Sequence, residues 1–226
     1  ATPYCLFLQP DGKIDVEGGL ALAFRPRFTK LVPVHNKYIG GKQYFVDSLD
    51  ADSMFSHLYR PVSQKCIDVL GHEDRRYLTS GIASGNILGL TYALATYLMG
   101  TAVRRIQRRT EGKDYQSSAV IHVNVDKDNH DWQNRLIKFM LGQLKDFFTG
   151  KIKDDKRIEY IVEEIYKDFE TSNKKAQTTG KKNDDGSVET ISVPTPSLDE
   201  VKKEVGRIFD EGDINQKIVN SDNDMS

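Results

Sequence analysis

One uncharged stretch dominates the pattern of polar and apolar positions along the chain. It covers the 27 residues from Tyr77 to Val103, in a sequence of which 29% is charged. Tyr-Leu-Thr at its start favours a strand over Tyr77–Ser80, and the Ser80-Gly81 pair breaks the extended run. Leucine, alanine and methionine then predict a long helix over about residues 82–109. Its last turns carry arginines, which favour the negative end of the helix dipole.

Small residues recur along one face of this predicted helix. A glycine inside a helix costs about 1 kcal/mol relative to alanine, yet Gly81, Gly85 and Gly89 are spaced four residues apart. Ala93 and Thr96 continue the same stripe. The spacing indicates that another stretch of polypeptide lies close against this face. These five residues are therefore the candidate interface of a homo-oligomer.

A membrane span is an alternative for residues 77–103. Their length meets the requirement of about 20 apolar residues for a transmembrane helix. However, polar side chains such as Ser84, Asn86 and Thr91 interrupt the stretch, so its composition favours burial in protein. Two cysteines and no secretory signal at the start of the sequence favour a cytoplasmic location.

Residues 1–75 are predicted to form a β-rich part with two short helices. A Pro-Asp-Gly turn and a Gly40-Gly41 pair are typical of hairpins, so the strands are expected to form an antiparallel meander. The predicted elements are strands over 4–9, 13–16, 19–24, 30–34, 37–39 and 42–46, and helices over 49–59 and 62–70.

Residues 76–211 are predicted to form an α/β part, followed by a flexible tail over 212–226. A strand over 118–125 follows the long helix, so strand, helix and strand make a βαβ unit. Apolar residues at helical spacing predict helices over 131–149 and 156–169, and a capping box at Ser197 begins another.

The fold class that follows is α/β, with a mixed α+β arrangement as the alternative. A hairpin turn over 183–186 competes with a disordered loop. The β-rich part and the α/β part could also form one compact domain.

The polar residues at the start of the long helix are the first candidate ligand site. Free amides at a helix N-terminus favour anions. The residues expected to hold a phosphate there are Thr79, Ser80, Gly81, Ser84 and Asn86.

Arginines at the other end of the helix are further candidate phosphate ligands. Arg104 and Arg105 begin a cluster that continues with Arg108 and Arg109. The net charge of the whole chain is near zero, at −1, and its mean hydropathy is −0.53. Nothing in this composition indicates nucleic acid as a partner.

Two carboxylates after the predicted strand 118–125 are candidate metal ligands. Asp126 and Asp128 would lie at the carboxyl end of that strand, where ligands of open α/β sheets usually bind. Carboxylate oxygens suit Mg²⁺, so Mg²⁺ is a possible cofactor. The chain contains neither G-x-G-x-x-G nor the P-loop pattern in this region.

The functional prediction is a non-enzymatic binding or assembly protein. It would self-associate through the central helix and carry a phosphate-bearing, nucleotide-like small ligand. One alternative is a metal-dependent transferase or phosphoryl-handling enzyme that uses Asp126 and Asp128. The other is a purely structural subunit of a larger complex.

Overall fold

A computed structural model describes residues 13–16, 19–22, 39–74, 76–122, 128–152, 155–179, 181–182, 188–189 and 194–217. The chain divides into two compact units, residues 1–38 and 39–226. In the first unit, β1 (Lys13–Val16) pairs antiparallel with β2 (Gly19–Leu22), with Lys13 opposite Leu22.

The second unit is built from helices. In chain order they are α1 (Gly41–Phe45), α2 (Gln64–Leu70), α3 (Tyr77–Ser80), α4 (Leu88–Thr110), α5 (Asp128–Phe148), α6 (Lys156–Thr179) and α7 (Leu198–Asp210). Short 3-10 turns lie at Asp47–Leu49, Gly81–Ala83 and Gly85–Ile87. Between α6 and α7, β3 (Lys181–Lys182) pairs antiparallel with β4 (Val188–Glu189).

The core of this unit is arranged around α4, which contacts α2, α5, α6 and α7. Leu94, Ala95, Leu98, Met99 and Ala102 of α4 are at most 5% exposed. The surrounding helices turn their apolar stripes toward these residues, as helices do when they bury one face. The long uncharged stretch is thus the centre of a helical core.

Three helices form where apolar periodicity predicts them. The helix predicted over 131–149 is α5, which begins earlier, at Asp128, and ends at Phe148, and the helix predicted over 156–169 is α6, which extends to Thr179. The capping box is also confirmed, because the Ser197 hydroxyl accepts from the Glu200 amide while the Glu200 carboxylate accepts from the Ser197 amide at 2.8 Å. These satisfied amides fix where α7 begins.

The α/β prediction is wrong, and the mixed α+β alternative fails with it, because the fold is helical. Residues 77–80, predicted to be a strand, form the short helix α3. The hydroxyls of Thr79 and Ser80 donate to the Arg76 carbonyl, local bonds that offer this backbone an alternative to a strand ladder. Without this strand the predicted βαβ unit does not exist. Residues 118–122 have no regular structure, and residues 123–125 of the predicted second strand lie outside the described residues.

The predicted antiparallel meander is wrong for the part of residues 1–75 that is described. Gly41–Phe45 is helical, because the Gly40 amide donates to Gln43 Oε1 at 3.0 Å and so caps a helical turn in place of the expected hairpin. Within the predicted strands 13–16 and 19–24, β1 and β2 do pair antiparallel, as a single hairpin. The predicted partner of β1, residues 4–9, lies outside the described residues, as does the predicted strand 30–34.

The three evenly spaced glycines lie in different local environments. Gly81 has a φ of +47°, and a Cβ there would overlap Gln143 Oε1 and lie 2.7 Å from Phe139 Cε1. A Cβ on Gly89 would lie 2.6 Å from Val62 Cγ1. Close approach at these two positions is therefore by side chains of the same chain. Gly85 is exposed, with its nearest neighbour 3.8 Å away, so crowding does not require a glycine there.

The membrane alternative applies to α4 and the turn before it. Residues Gly85–Thr110 have a mean hydropathy of 1.2 over an 18-residue window, enough to cross a membrane by length and composition. Half of that window is buried within the chain. The helix α4 also contacts four other helices, α2, α5, α6 and α7.

Gly81→Ala tests the packing at the start of this region. The substitution combines a strained backbone with overlap against Gln143, and we expect it to lower the free energy of unfolding by about 2–4 kcal/mol. Gly85→Ala is the matched control, with an expected effect between zero and about 1 kcal/mol of stabilisation. Urea unfolding followed by circular dichroism measures both. Equal stability of the two variants would contradict the close approach at Gly81.

Candidate functional site

A groove of about 1190 Å³ runs beside α4. Its walls are α4, the segment 113–122 that follows it, α5, and residues 213–217 after α7. The floor is apolar, because Leu94, Leu98, Ile137 and Ile208 are each at most 8% exposed. Ligand sites of proteins are typically concave and apolar with a few polar groups at the edge. The groove has this form.

Hydroxyl groups attach the outer wall of the groove to α4. The Tyr97 hydroxyl donates to the Ser117 carbonyl at 3.0 Å, and the Thr101 and Ser117 hydroxyls lie 2.6 Å apart. The Arg104 guanidinium lies 5.8 Å from the centre of the Tyr115 ring. These contacts hold segment 113–122 beside α4 and place both tyrosines, each half-buried, at the groove.

Charged side chains lie along the walls and rim of the groove. Cations outnumber carboxylates among the residues that line it. The charged lining residues are Arg105, Arg109, Lys113, Lys217, Asp114 and Asp213. His122 and His130 also line the groove, with ring centres 6.4 Å apart. The lining therefore has an excess of positive charge.

A buried carboxylate organises the arginines where α4 ends. Glu204 of α7 is 3% exposed and accepts from Arg109 at 2.8 and 3.1 Å. Arg207 donates to the same carboxylate at 2.9 Å, and Arg105 Nε lies 3.4 Å from it. The hydrogen bond from Arg109 to Glu204 raises the pKa of that guanidinium above its usual value. The buried charge of Glu204 is thus compensated, as burial requires.

The predicted phosphate-binding arginines are engaged within the chain. Arg105 donates to Glu211 at 2.9 Å and to Asp213 at 2.8 Å, besides its contact with Glu204. Arg104 donates to Gln107 at 2.9 Å and is otherwise exposed. Acidic side chains of α7 and the segment after it therefore take up much of the charge of the arginine cluster. Arg105 lines the groove, whereas Arg104 contacts its Tyr115 wall.

The predicted phosphate site before α4 has its polar groups bonded within the chain. Thr79 and Ser80 bond the Arg76 carbonyl, the Ser84 hydroxyl accepts from the Asn86 amide at 3.3 Å, and the Asn86 side chain donates to Tyr77. Gly81 packs under Gln143, as described above. The long helix begins only at Leu88, so its N-terminus lies away from Ser80 and Gly81. The structure places these residues along the end of α3 and the two 3-10 turns that follow it.

The predicted interface residues do not share one environment. Gly81 is buried and Gly89 is half-buried under Val62. Gly85, Ala93 and Thr96 are exposed, and Ala93 lines the groove. The stripe of small residues is thus partly covered by the chain itself and partly accessible.

The predicted metal ligands are not placed by the structure. Asp126 lies outside the described residues, and for Asp128 only the backbone is described, as the first residue of α5. Among the residues whose side chains are described, no three histidine, cysteine, aspartate or glutamate side chains are grouped so that they could hold a metal ion. The use of Asp126 and Asp128 stays a prediction.

A tyrosine–glutamate cluster joins α4 to α6 away from the floor of the groove. Glu164 of α6 accepts from the hydroxyls of Tyr92 and Tyr160, the latter at 3.0 Å. Burial and the Glu164 carboxylate raise the pKa of Tyr92 to about 12, and the hydrogen bond from Tyr92 lowers the pKa of Glu164. Both groups keep the protonation states that this hydrogen bond needs, so the cluster is a structural link.

Several residues of the site were missed by the sequence reasoning. Residues 110–116 were predicted to be a polar loop, and no local pattern places Ser117 beside Tyr97 or brings Lys113 and Lys217 to one groove. Glu204 had a detectable signal. It shares a helix face with Val201, Val205 and Ile208, at helical spacing, and this position could have indicated a buried charge that needs a partner.

A comparison with protein-family models identifies the C-terminal part of the chain. The model of the Z1 domain matches residues 89–226, which is more than half of the sequence. The chain belongs to the Z1 domain family. The match begins within α4 and includes every residue that lines the groove. Comparison with curated proteins and with solved structures gave no match. The name Z1 domain states no activity, so the function is argued from the geometry.

Glu204→Gln tests the arginine network of this Z1 domain. The amide cannot neutralise the arginines around it, and we expect a loss of about 1–3 kcal/mol in the free energy of unfolding. Glu163→Gln, at an exposed carboxylate of α6, is the matched control and should cost less than about 0.5 kcal/mol. Urea unfolding measures both variants. A loss at Glu204 no larger than that at Glu163 would contradict a compensated buried charge.

Proposed function

We propose that this Z1 domain is a non-enzymatic binding module whose groove takes a phosphate-bearing, nucleotide-like small ligand. The observation that carries the proposal is the composition of the groove wall. It combines an apolar floor, two half-buried tyrosines and more cations than carboxylates. A nucleotide has the matching parts, since its base offers a flat apolar face and its phosphates carry negative charge.

The lysines of the lining are the groups expected to meet the phosphates. Arg105 and Arg109 are held by Glu204 and its neighbours. Lys113 lies 3.4 Å from Glu111, and both side chains are exposed, so this pair is weak and can open. Within the described part of the chain, no ion pair engages Lys217. Two lysines on the wall can therefore turn to an anion without disturbing the core.

Tyr97 and Tyr115 are the groups expected to meet the base. Base–aromatic stacking contributes about 1–3 kcal/mol per base in proteins that use it. The hydroxyls of Thr101 and Ser117 add polar groups at the same wall. The groove thus replaces the turn before α4 as the proposed ligand site, because the polar groups of that turn bond one another.

A thermal-shift titration with ADP, GDP and inorganic phosphate tests the proposal. A ligand at 100 times its Kd stabilises by about 2.7 kcal/mol, which raises Tm by on the order of 5–10 °C for a chain of this size. We expect a nucleotide to stabilise the wild-type chain and Lys113→Glu/Lys217→Glu to lose the shift. Lys138→Glu, at an exposed lysine of α5 outside the groove, is the matched control and should keep it.

Two outcomes of this titration would contradict the groove site. The first is that no nucleotide raises Tm at millimolar concentration. The second is that Ser84→Ala/Asn86→Ala abolishes the shift while the groove variant keeps it, which would return the site to the turn before α4. Repeating the titration with and without Mg²⁺ tests the metal-dependent alternative, which requires a shift that depends on the ion.

A further inference from the structure

Residues 39–67 present an unusual number of apolar side chains to solvent. Eight large apolar residues in this segment are 38–74% exposed. They are Ile39, Tyr44, Phe45, Val46, Leu49, Tyr59, Val62 and Ile67. We call these eight residues the apolar surface. Its centre is continuous, because the Phe45 ring lies 6.3 Å from Tyr44 and 6.0 Å from Tyr59.

Polar contacts attach residues 51–60 of this segment to α6. Arg60 and His57 both reach Asp168 of α6, His57 at 3.7 Å. Lys175 of α6 donates to the Ala51 carbonyl and to the Ser56 hydroxyl, the latter at 3.0 Å. Residues 39–62 are all described, and among them only Ser48 is buried. The contacts of this stretch with α6 are thus polar, while the apolar surface faces solvent.

We infer that the apolar surface is the interface of a homodimer, in which it packs against the same surface of a second copy of this chain. Large exposed apolar patches mark interaction sites, and monomers rarely present more than about 300–600 Å² of continuous apolar area. The inference goes beyond the proposed ligand site, which uses other residues. It also moves the predicted self-association from the glycines of the central helix to the segment packed beside them.

The size of the apolar surface fits a dimer. Added together, the exposed fractions of the eight residues correspond to about four fully exposed large side chains. At roughly 150–250 Å² for each such side chain, the exposed area is on the order of 600–1000 Å². A stable interface of standard size buries about 800 Å² on each partner. A second copy covering this surface would therefore meet the requirement without help from other regions.

The charges around the apolar surface favour a second copy over a partner of one charge sign. Lys42 and Lys65 are exposed in the same segment as Asp50, Asp52 and Asp68. In a twofold interface each patch faces itself, so a surface with both signs can pair its lysines with the aspartates of the other copy. A strongly basic or acidic partner would meet like charges on part of this surface.

The apolar surface lies outside the residues matched to the Z1 domain. The match begins at residue 89, and the surface ends at Ile67. However, the two regions are joined by packing, because Val62 covers Gly89 at the start of α4. Dimer formation would therefore hold two groove-containing domains in one assembly.

The test is the mass of the full-length chain in solution, measured by light scattering and sedimentation from about 1 to 100 µM. We expect twice the chain mass of 25.6 kDa, and no loss of the dimer in 1 M NaCl, because apolar contacts are not screened by salt. Phe45→Asp/Leu49→Asp should lower the mass to one chain while the circular dichroism spectrum stays unchanged.

Ile152→Asp is the matched control, because Ile152 is 41% exposed and lies outside the apolar surface. This variant should stay dimeric. A single-chain mass for the wild type at every concentration would overturn the inference. A dimer that survives Phe45→Asp/Leu49→Asp would place the interface elsewhere and overturn it too. If the double variant precipitates, Phe45→Ser gives the same comparison with a milder change.

Discussion

The burial of α4 is the constraint on which the rest of this structure depends. Its residues Leu94 to Ala102 include five that are nearly inaccessible to solvent, and helices α2, α5, α6 and α7 all contact it. Burying apolar area contributes about 25 cal/mol per Å², so covering this helix is the main source of stability available to the unit. The other helices take positions that cover it, and the groove lies where α4 and α5 do not close on each other.

The positions of several polar groups also depend on α4. Because α4 is long, its arginine-rich end reaches α7, where Glu204 is buried and accepts from the guanidinium groups around it. At the middle of α4, the hydroxyls of Tyr97 and Thr101 bond Ser117. These bonds hold segment 113–122 in place as the outer wall of the groove. Near its start, Gly89 lets Val62 approach. The helix α4 therefore contacts both the proposed ligand site and, through Val62, the segment that carries the proposed dimer surface.

Periodicity over many residues predicted structure correctly, and short apolar runs did not. Helices α5, α6 and α7 each repeat apolar positions over three or more turns, so local sequence and tertiary packing agree. The strands expected over 77–80 and 118–125 rested on a few β-branched and aromatic residues, a pattern that a short helix or an irregular segment shares. In Tyr77–Ser80, the hydroxyls of Thr79 and Ser80 bond the Arg76 carbonyl in a short helix instead of a strand. The groove could not be predicted, because Lys113 and Lys217 come to line one groove only in the folded chain.

Native-state hydrogen exchange of the amides of residues 94–102 tests the central role of α4 most directly. If α4 is the buried centre of a helical core, these amides exchange only through global unfolding. Their exchange free energies then equal the free energy of unfolding measured with denaturant. Exchange of these amides at much lower free energies, while α5 and α7 stay protected, would show that the core forms without α4 and would contradict this account.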